Sequence, residues 1–328
     1  MNIADIAKLA GVSSAAVSRY FNNGYISEEK KKAIQKVVEE TGYRPSIQAQ
    51  MLRTKKTKMI GVILPKIDSA AMGSVVAGIL SVLSEHGYRL LLADTRNDVQ
   101  TELDYLSVFA EKQVDGVIFI ATVFTKEHKK ALKNLKIPVI IVGQRLSGYC
   151  CIYHDDYHAT YDMTNLFLEK GRRNLGYIGV FDLDEAVGLE RRRGFFDAVK
   201  EAGLSRLQEN CVIATFSIES GYEKMKELWE KDRELDGVIC ATDDIAIGAM
   251  KFLKEQGICI PEQVMLAGHD DSTLSKVTTP TLTTVHFSYE NSGILAAKNL
   301  IHILTKKDEG IREIKLGYSI VENKSTIK

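Results

Sequence analysis

The apolar positions at the start of the chain repeat at helical spacing. Between residues 3 and 10 they fall on one face of a helix, which Asn2 can cap and Gly11 can end. Ser13 can cap a second helix that reaches about Asn22. Two short helices joined by a glycine-containing turn are typical of a helix-turn-helix, whose second helix enters the major groove of DNA. Other helical folds share this spacing, so the pattern alone does not decide between them.

A third helix and a polar connection follow the first two helices. The apolar spacing predicts a helix from a Ser27 cap to Gly42. Pro45 suits the first turn of a short helix over residues 46–53, and the polar run 54–58 comes after it. A helix of one or two turns is marginal in water, so this segment is a candidate switch that orders only against a partner. A plain linker is the alternative.

Beyond residue 58 the pattern changes to short apolar runs that alternate with amphipathic stretches. The predicted strands are 59–64, 88–93, 116–121, 139–142, 175–180, 211–214, 237–241 and 264–267. The predicted helices between them include 72–86, 101–112, 159–170, 190–202, 219–231 and 245–256. Strands that alternate with helices in this way predict parallel sheets covered by helices.

This long α/β segment also repeats itself. The sequence VDGVI at 114–118 recurs as LDGVI at 235–239, and each copy forms a predicted strand at the same place in the order of elements. Two similar α/β lobes in tandem predict a cleft between them, because ligands of parallel sheets bind beyond the carboxyl ends of the strands. Two independent domains are the alternative.

The charge of the chain is unevenly distributed. The full sequence is neutral, with 43 basic and 43 acidic residues, whereas residues 1–58 hold 11 Lys and Arg against five acids. A basic N-terminal segment can bind DNA phosphates, whereas the acidic remainder cannot bind DNA by itself. The five cysteines show no CxxC spacing and predict reduced thiols without a metal site. No apolar run reaches the length of a membrane span and no signal region is evident, so we expect a cytoplasmic protein.

Polar and often acidic side chains follow the predicted strands, among them Ser69, Asp94 and Gln144 in the first half. Each hydroxyl group of a sugar both donates and accepts hydrogen bonds, so such side chains suit a polyhydroxyl ligand. Helix N-capping is the alternative for any single aspartate. The chain lacks the GxSxG, phosphate-loop and HExxH motifs, and no GxGxxG follows the first strand. We therefore assign no catalytic residue, cofactor or metal ligand.

Together these features resemble the lactose-repressor/galactose-repressor family of bacterial transcription regulators, and the resemblance runs from end to end. Its most specific stretch is IADIAKLAGVS at residues 3–13, followed by Val17, Ser18 and Arg19. Further matches are EETGYRPS at 39–46, GVI at 61–63, Arg191 three residues before Gly194 and Phe195, SGY at 220–222, and Gly268 with Asp270 and Asp271.

The resemblance implies an N-terminal all-α helix-turn-helix domain and an α/β two-lobed effector domain with parallel sheets, like that of periplasmic binding proteins. The implied domains are residues 1–45 for DNA binding, 46–57 for a hinge helix and 58–328 for effector binding and dimerisation. The implied lobes are 58–158 with 288–317, and 159–287 with 318–328. A homodimer on a pseudo-palindromic operator is also implied.

The resemblance further implies which residues bind. In the second helix, Ser14, Ala15 and Arg19 would face base edges, and the arginine fork suits guanine. The implied phosphate contacts are Ser13, Ser18, Asn22 and Tyr43, while Leu52 would wedge into the minor groove. The implied effector contacts are Asp155, Arg191, Phe216, Asp243 and Asp270.

The expected function is that of a sequence-specific transcriptional regulator, namely a repressor of a carbohydrate-utilisation operon that a small sugar or sugar phosphate controls. Regulation by a purine or by a corepressor protein is the alternative within the family. Outside the family, a transport-type sugar-binding protein would share the body but not the basic head. A sugar-processing enzyme would need two carboxylates with separated pKa values. No membrane partner is expected.

Overall fold

The computed structural model describes residues 1–22, 24–44, 56–204, 210–306 and 312–327. The chain forms two compact units, Met1–Thr57 and Lys58–Lys328, called here the head and the body. The predicted hinge helix over residues 46–53, including Leu52, lies outside the described residues.

The head contains the three predicted helices, α1 (Ile3–Leu9), α2 (Ser14–Phe21) and α3 (Glu28–Thr41). The predicted Asn2 cap is confirmed and forms a capping box: the Asn2 side chain accepts hydrogen bonds from the amides of Ala4 and Asp5, and the Asp5 carboxylate accepts one from the amide of Asn2. Gly42 ends α3 in the left-handed conformation. Ile6, Val17 and Ile34 form the centre of the core where the three helices meet.

The body contains two sheets, and the first belongs to the part called the N-lobe. Its six parallel strands lie in the order β11-β5-β4-β3-β1-β2. They are β1 (Met59–Leu64), β2 (Arg89–Asp94), β3 (Gly116–Ile120), β4 (Val139–Val142), β5 (Cys150–His154) and β11 (Glu313–Leu316). Its helices are α4 (Ala70–Glu85), α5 (Val99–Val108), α6 (Lys126–Asn134) and α12 (Tyr289–Lys306), with a π-helical turn at Phe109–Gln113. Separate apolar clusters cover the two faces of the sheet.

The C-lobe contains the second sheet, four parallel strands in the order β7-β6-β8-β9. They are β6 (Leu175–Gly179), β7 (Cys211–Ile213), β8 (Gly237–Cys240) and β9 (Met265–Ala267), and an antiparallel pair, β10 (Thr284–Phe287) and β12 (Tyr318–Val321), adjoins them. The helices are α7 (Asp156–Glu169), α8 (Arg191–Glu201), α9 (Ile218–Lys231), α10 (Asp243–Glu255) and α11 (Thr273–Val277), with a π-helical turn at Glu185–Glu190. One large apolar core fills this lobe.

The chain crosses between the lobes three times. The crossings lie between β5 and α7, between β10 and α12, and at Gly317 between β11 and β12. Helix α7 begins at Asp156, three residues before the predicted helix at 159–170, so the first crossing comes at Asp155. The exact domain boundaries at residues 45 and 57 stay a prediction.

All eight predicted strands are present to within one or two residues, and the six predicted helices are also confirmed. One predicted helix, 101–112, is shorter than expected, because it gives way at Val108 to the π-helical turn that buries Phe109 against Gly61. Among the described residues, four strands and three helices were not predicted, namely β5, β10, β11, β12, α6, α11 and α12.

Paired glycines allow two helix pairs to pack with their backbones in contact. A β-carbon added to Gly78 in α4 would overlap the carbonyl oxygen of Glu290 in α12, and one added to Gly293 in α12 would overlap that of Val75. Gly221 in α9 and Gly248 in α10 face each other's helices in the same way. Each lobe therefore contains a helix pair whose backbones pack this closely. None of the helices in the described part of the chain has the length and apolar character needed to cross a membrane.

Candidate functional site

Helix α2 presents a polar face to solvent. Ala16 and Val17 are buried in the core of the head, so Ser14, Ala15 and Arg19 on the opposite face are exposed. Ser13 caps the helix, and its hydroxyl accepts a hydrogen bond of 3.3 Å from the amide of Ala16. The three residues predicted to read base edges thus lie together on one accessible surface.

The predicted phosphate contacts surround this face. Asn22 is exposed and donates hydrogen bonds to the carbonyl and hydroxyl oxygens of Ser18, which is half-buried. Tyr43 packs edge-on against Phe21, with ring centroids 5.8 Å apart, and is also half-buried. These contacts fix the side chains at the end of α2 but leave polar groups at the surface of the head.

A cavity of about 130 Å³ lies between the lobes of the body and is called here the inner cavity. The N-lobe contributes the segments that follow β1, β2 and β3, and the C-lobe contributes the segments that follow its own strands. The polar and aromatic residues that line it are Lys66, Ser69, Asn97, Thr122, Asp184, Arg191, Phe216, Thr242, Asp244, Asp270 and Tyr289. The carboxyl ends of parallel strands therefore form this site, as the alternating pattern predicts.

Arg191 is the central cation of the inner cavity. Its Nε donates to Asp156 Oδ1 at 2.7 Å, and its Nη1 donates to the carbonyl oxygen of Ala241. The guanidinium carbon lies 4.8 Å from the centre of the Phe287 ring. Burial alone would lower the pKa of Arg191, but the negative charges of Asp156 and Asp270 raise it above its usual value. The side chain is therefore a permanently charged donor held in one orientation.

Asp270 faces Arg191 in a strained backbone conformation. Its φ angle is 119°, a left-handed value that is rare for any residue except glycine and costs energy that the surrounding structure must supply. The hydroxyl of Tyr289 donates to Asp270 Oδ1 at 2.6 Å, and Arg191 Nη1 lies 3.8 Å from the same oxygen. Burial raises the pKa of Asp270, and the arginine opposes this rise. The strain and the two partners aim the carboxylate at the cavity.

The eight residues predicted to bind an effector are not all in one place. Ser69, Arg191, Phe216 and Asp270 line the inner cavity. Asp94 lines a neighbouring cavity, and Gln144 and Asp155 line a larger one, called here the outer cavity. The Asp155 carboxylate caps α7 and accepts hydrogen bonds from His158 and Lys315.

Asp243 does not line any of these three cavities. Its carboxylate is buried within the C-lobe and accepts hydrogen bonds from the amide of Ser272 at 2.8 Å and the hydroxyl of Thr284 at 2.6 Å. Asp244 lines the inner cavity instead. Successive side chains at the start of a helix point about 100° apart, so only one member of this pair can face the cleft. Burial and the nearby Asp270 carboxylate raise the pKa of Asp243.

Asp184 was missed in the sequence, because it lies five residues beyond β6 rather than directly after it. It caps the π-helical turn by accepting a hydrogen bond of 3.0 Å from the amide of Val187. Gln144, at the end of β4 in the other lobe, donates from Nε2 to its Oδ1 at 3.1 Å. Burial raises the pKa of Asp184 to about 6. This contact joins the two lobes.

Comparison with known proteins agrees with the geometry of both units. Residues 2–46 match the model of bacterial regulatory proteins of the lacI family, and residues 164–326 match a periplasmic binding protein-like domain. The sucrose operon repressor of Staphylococcus xylosus is 33% identical over 301 residues, which are 91% of this chain and 92% of that protein. The chain belongs to the lacI family of bacterial regulatory proteins.

Two further proteins cover this chain almost completely. The HTH-type transcriptional regulator RegA of Clostridium saccharobutylicum is 32% identical over 329 residues, 99% of each chain. The crystal structure of the Lac repressor dimer bound to operator and the anti-inducer ONPF superposes with a TM-score of 0.91 at 19% identity and covers 100% of this chain and 99% of that one. This lacI-family chain thus has the Lac repressor fold and is a DNA-binding transcriptional regulator. Its relatives are regulators rather than enzymes.

Proposed function

We propose that this lacI-family regulator is a cytoplasmic repressor of a carbohydrate-utilisation operon. It binds its operator as a homodimer, and a small sugar or sugar phosphate in the inner cavity controls its affinity for DNA. The sugar operon in the name of the Staphylococcus relative and the operator-bound dimer of the Lac repressor support this proposal.

The chemistry of the inner cavity carries the proposal. Arg191 supplies fixed donors, and none of the described residues accepts a hydrogen bond from its Nη2 group. Asp244 and Asp270 supply acceptors, and the ring of Phe216 offers an apolar face. Sugars need this combination, because each hydroxyl both donates and accepts while the ring carbons form flat apolar patches.

For DNA binding, we assign the recognition of bases to the exposed face of α2. Arg19 pairs with the O6 and N7 atoms of a guanine, and Ser14 and Ala15 contact neighbouring bases. The phosphate contacts come from Ser13, Ser18, Asn22 and Tyr43, and Leu52 inserts into the minor groove. The exposure of α2 opposite its buried Ala16 and Val17 supports this assignment.

Closure of the lobes couples the two sites in this proposal. Tyr289, at the start of α12 in the N-lobe, bonds to Asp270 in the C-lobe, and Gln144 bonds to Asp184 across the same cleft. A ligand that touches both lobes favours one spacing between them. Such a difference in affinity between two states is typically worth about 1–3 kcal/mol, enough to change operator occupancy.

A mobility-shift titration on the DNA upstream of the gene tests the proposal. We expect a salt-sensitive shift that one member of a panel of sugars and sugar phosphates alters. Arg19→Ala should abolish the shift and keep sugar binding, whereas Phe216→Ala should keep the shift and lose the sugar response. Leu183→Ala, on an exposed loop of the C-lobe, is the matched control and should change neither.

Three outcomes of this titration would contradict the proposal. The absence of any shift would refute operator binding. A response to guanine or hypoxanthine alone, or only to an added cell-extract protein, would replace the sugar by one of the alternative effectors. Turnover of a sugar by the purified protein would show an enzyme.

A further inference from the structure

The outer cavity is larger than the inner one, with a volume of about 400 Å³, and it also lies between the lobes. The N-lobe contributes the end of β4, the end of β5 and Lys315 of β11. The C-lobe contributes the start of α7, the π-helical turn that includes Ala186, and Arg193 of α8. A ligand in this space would touch both lobes, as one in the inner cavity would. Cavities of this volume are within the usual range for small-molecule sites.

Three side-chain contacts form a wall between the two cavities, and each contact has one residue in each cavity. Gln144 lines the outer cavity and bonds to Asp184, which lines the inner one. The Asp156 carboxylate of the outer cavity bonds to Arg191 of the inner one. The ring of His154 on the outer side lies 5.1 Å from that of Tyr289 on the inner side.

The cations of the outer cavity are already neutralised by carboxylates. The partners are Glu313 for Arg145 at 2.8 Å, Asp155 for Lys315 at 2.8 Å, and Glu190 for Arg193. A phosphate group would have to displace one of these acids, so the charge pattern disfavours an anionic ligand.

The uncharged groups of the outer cavity favour a hydroxyl-rich ligand. Tyr153 and Tyr157 provide aromatic surface, and the ion pairs keep spare donor and acceptor sites for hydroxyl groups.

We propose that the outer cavity is a second binding site, for a neutral polyhydroxyl ligand of the sugar class, and that its occupancy raises the affinity of the inner cavity. The coupling follows because both ligands bridge the lobes and share the wall of three contacts. A ligand that fixes the spacing between the lobes makes the second binding event easier. The effect on DNA rests on the proposed function, whereas the existence of the second site does not.

Equilibrium dialysis of the full-length protein against radiolabelled glucose, ribose and sucrose tests the proposal, with glucose 6-phosphate as the anionic comparison. We expect two molecules of a neutral sugar per chain in the wild type. Ala186→Phe fills the outer cavity from the C-lobe and should leave one molecule per chain, with an inner-site affinity at least about fivefold weaker. Leu183→Phe places the same aromatic side chain on the exposed part of that loop and should keep two.

A second variant distinguishes loss of the outer site from a folding defect. Lys315→Trp fills the same space from the N-lobe and should also leave one molecule per chain, with an unchanged circular dichroism spectrum. One molecule per chain in the wild type, two in both filled variants, or binding of glucose 6-phosphate alone would overturn the proposal.

Mobility shifts of the same samples separate the two proposals. Two bound sugars without any effect on DNA would refute the proposed function and leave the second site intact, whereas one bound sugar that releases DNA would do the opposite.

Discussion

Helix α4 contains two glycines for which the same substitution should have opposite effects. Gly73 is exposed, and a β-carbon there would meet no atom within 4 Å. A β-carbon at Gly78 would overlap the carbonyl oxygen of Glu290 in α12. Both residues have ordinary helical backbone angles, so any difference between Gly73→Ala and Gly78→Ala comes from packing alone.

The magnitudes follow from two opposing terms. Replacing glycine by alanine inside an exposed helix gains about 0.5–1 kcal/mol, because alanine loses less backbone entropy on folding. At Gly78 the same entropic stabilisation is opposed by overpacking, which destabilises a protein by about 1–3 kcal/mol. We expect the upper end of that range, since the obstacle is a backbone oxygen that cannot rotate away. Gly73→Ala should therefore raise the free energy of unfolding by about 0.5–1 kcal/mol, and Gly78→Ala should lower it by about 2 kcal/mol.

Urea unfolding of the full-length variants, followed by far-ultraviolet circular dichroism, measures both changes. Gly78→Ala should also weaken sugar binding, because Glu290 follows Tyr289 and displacement of α12 disturbs the hydrogen bond from Tyr289 to Asp270. If both variants shift the unfolding midpoint in the same direction, the close approach of α4 and α12 does not determine stability and the argument is refuted.

Three further predictions concern single side chains. Because the pKa of Asp184 is raised to about 6, the protonated carboxyl group stabilises the folded state below about pH 4. This stabilisation is lost as the pH rises through 6. Asp184→Asn should thus equal the wild type at low pH and exceed it by about 2–3 kcal/mol near pH 8 in urea titrations; a pH-independent difference would contradict this. Arg191→Met leaves the buried Asp156 without its partner and should cost about 3–5 kcal/mol, and Asp156→Asn in the same chain should restore part of the loss in a double-mutant cycle. Asn2→Ala removes the cap of α1 and should destabilise the head by about 1 kcal/mol, seen as faster amide exchange in residues 3–9, whereas unchanged exchange would argue against the cap.

Elements that depend on local chemistry could be predicted from the sequence. The caps at Asn2 and Ser13 and the stop at Gly42 are local signals, and all three helices of the head begin and end close to them. Most of the buried parallel strands were also found, because continuous apolar runs mark them, but β5 (Cys150–His154) was missed. Strand β11 alternates exposed and half-buried positions at a sheet edge, and β10 and β12 are four residues long and form a two-stranded sheet, so their patterns are too short to recognise.

The candidate site could be predicted only in part. The resemblance to the family implied Arg191, Phe216 and Asp270, which lie together in the inner cavity. The resemblance implied Asp243, whereas Asp244 lines the cavity, because the sequence does not give the rotation of the helix that starts there. It also missed Asp184, whose π-helical turn brings a residue well beyond the strand back to the cleft.

The three crossings between the lobes also set the order in which the protein can fold. Strand β11 pairs with β5 across about 160 residues of chain, and β12 completes the small sheet of the C-lobe with β10. Neither lobe is whole until residues 313–321 have been synthesised. The head depends on contacts within its own short segment and can fold as soon as it leaves the ribosome. A growing polypeptide therefore acquires its DNA-binding surface long before the parts that would regulate it.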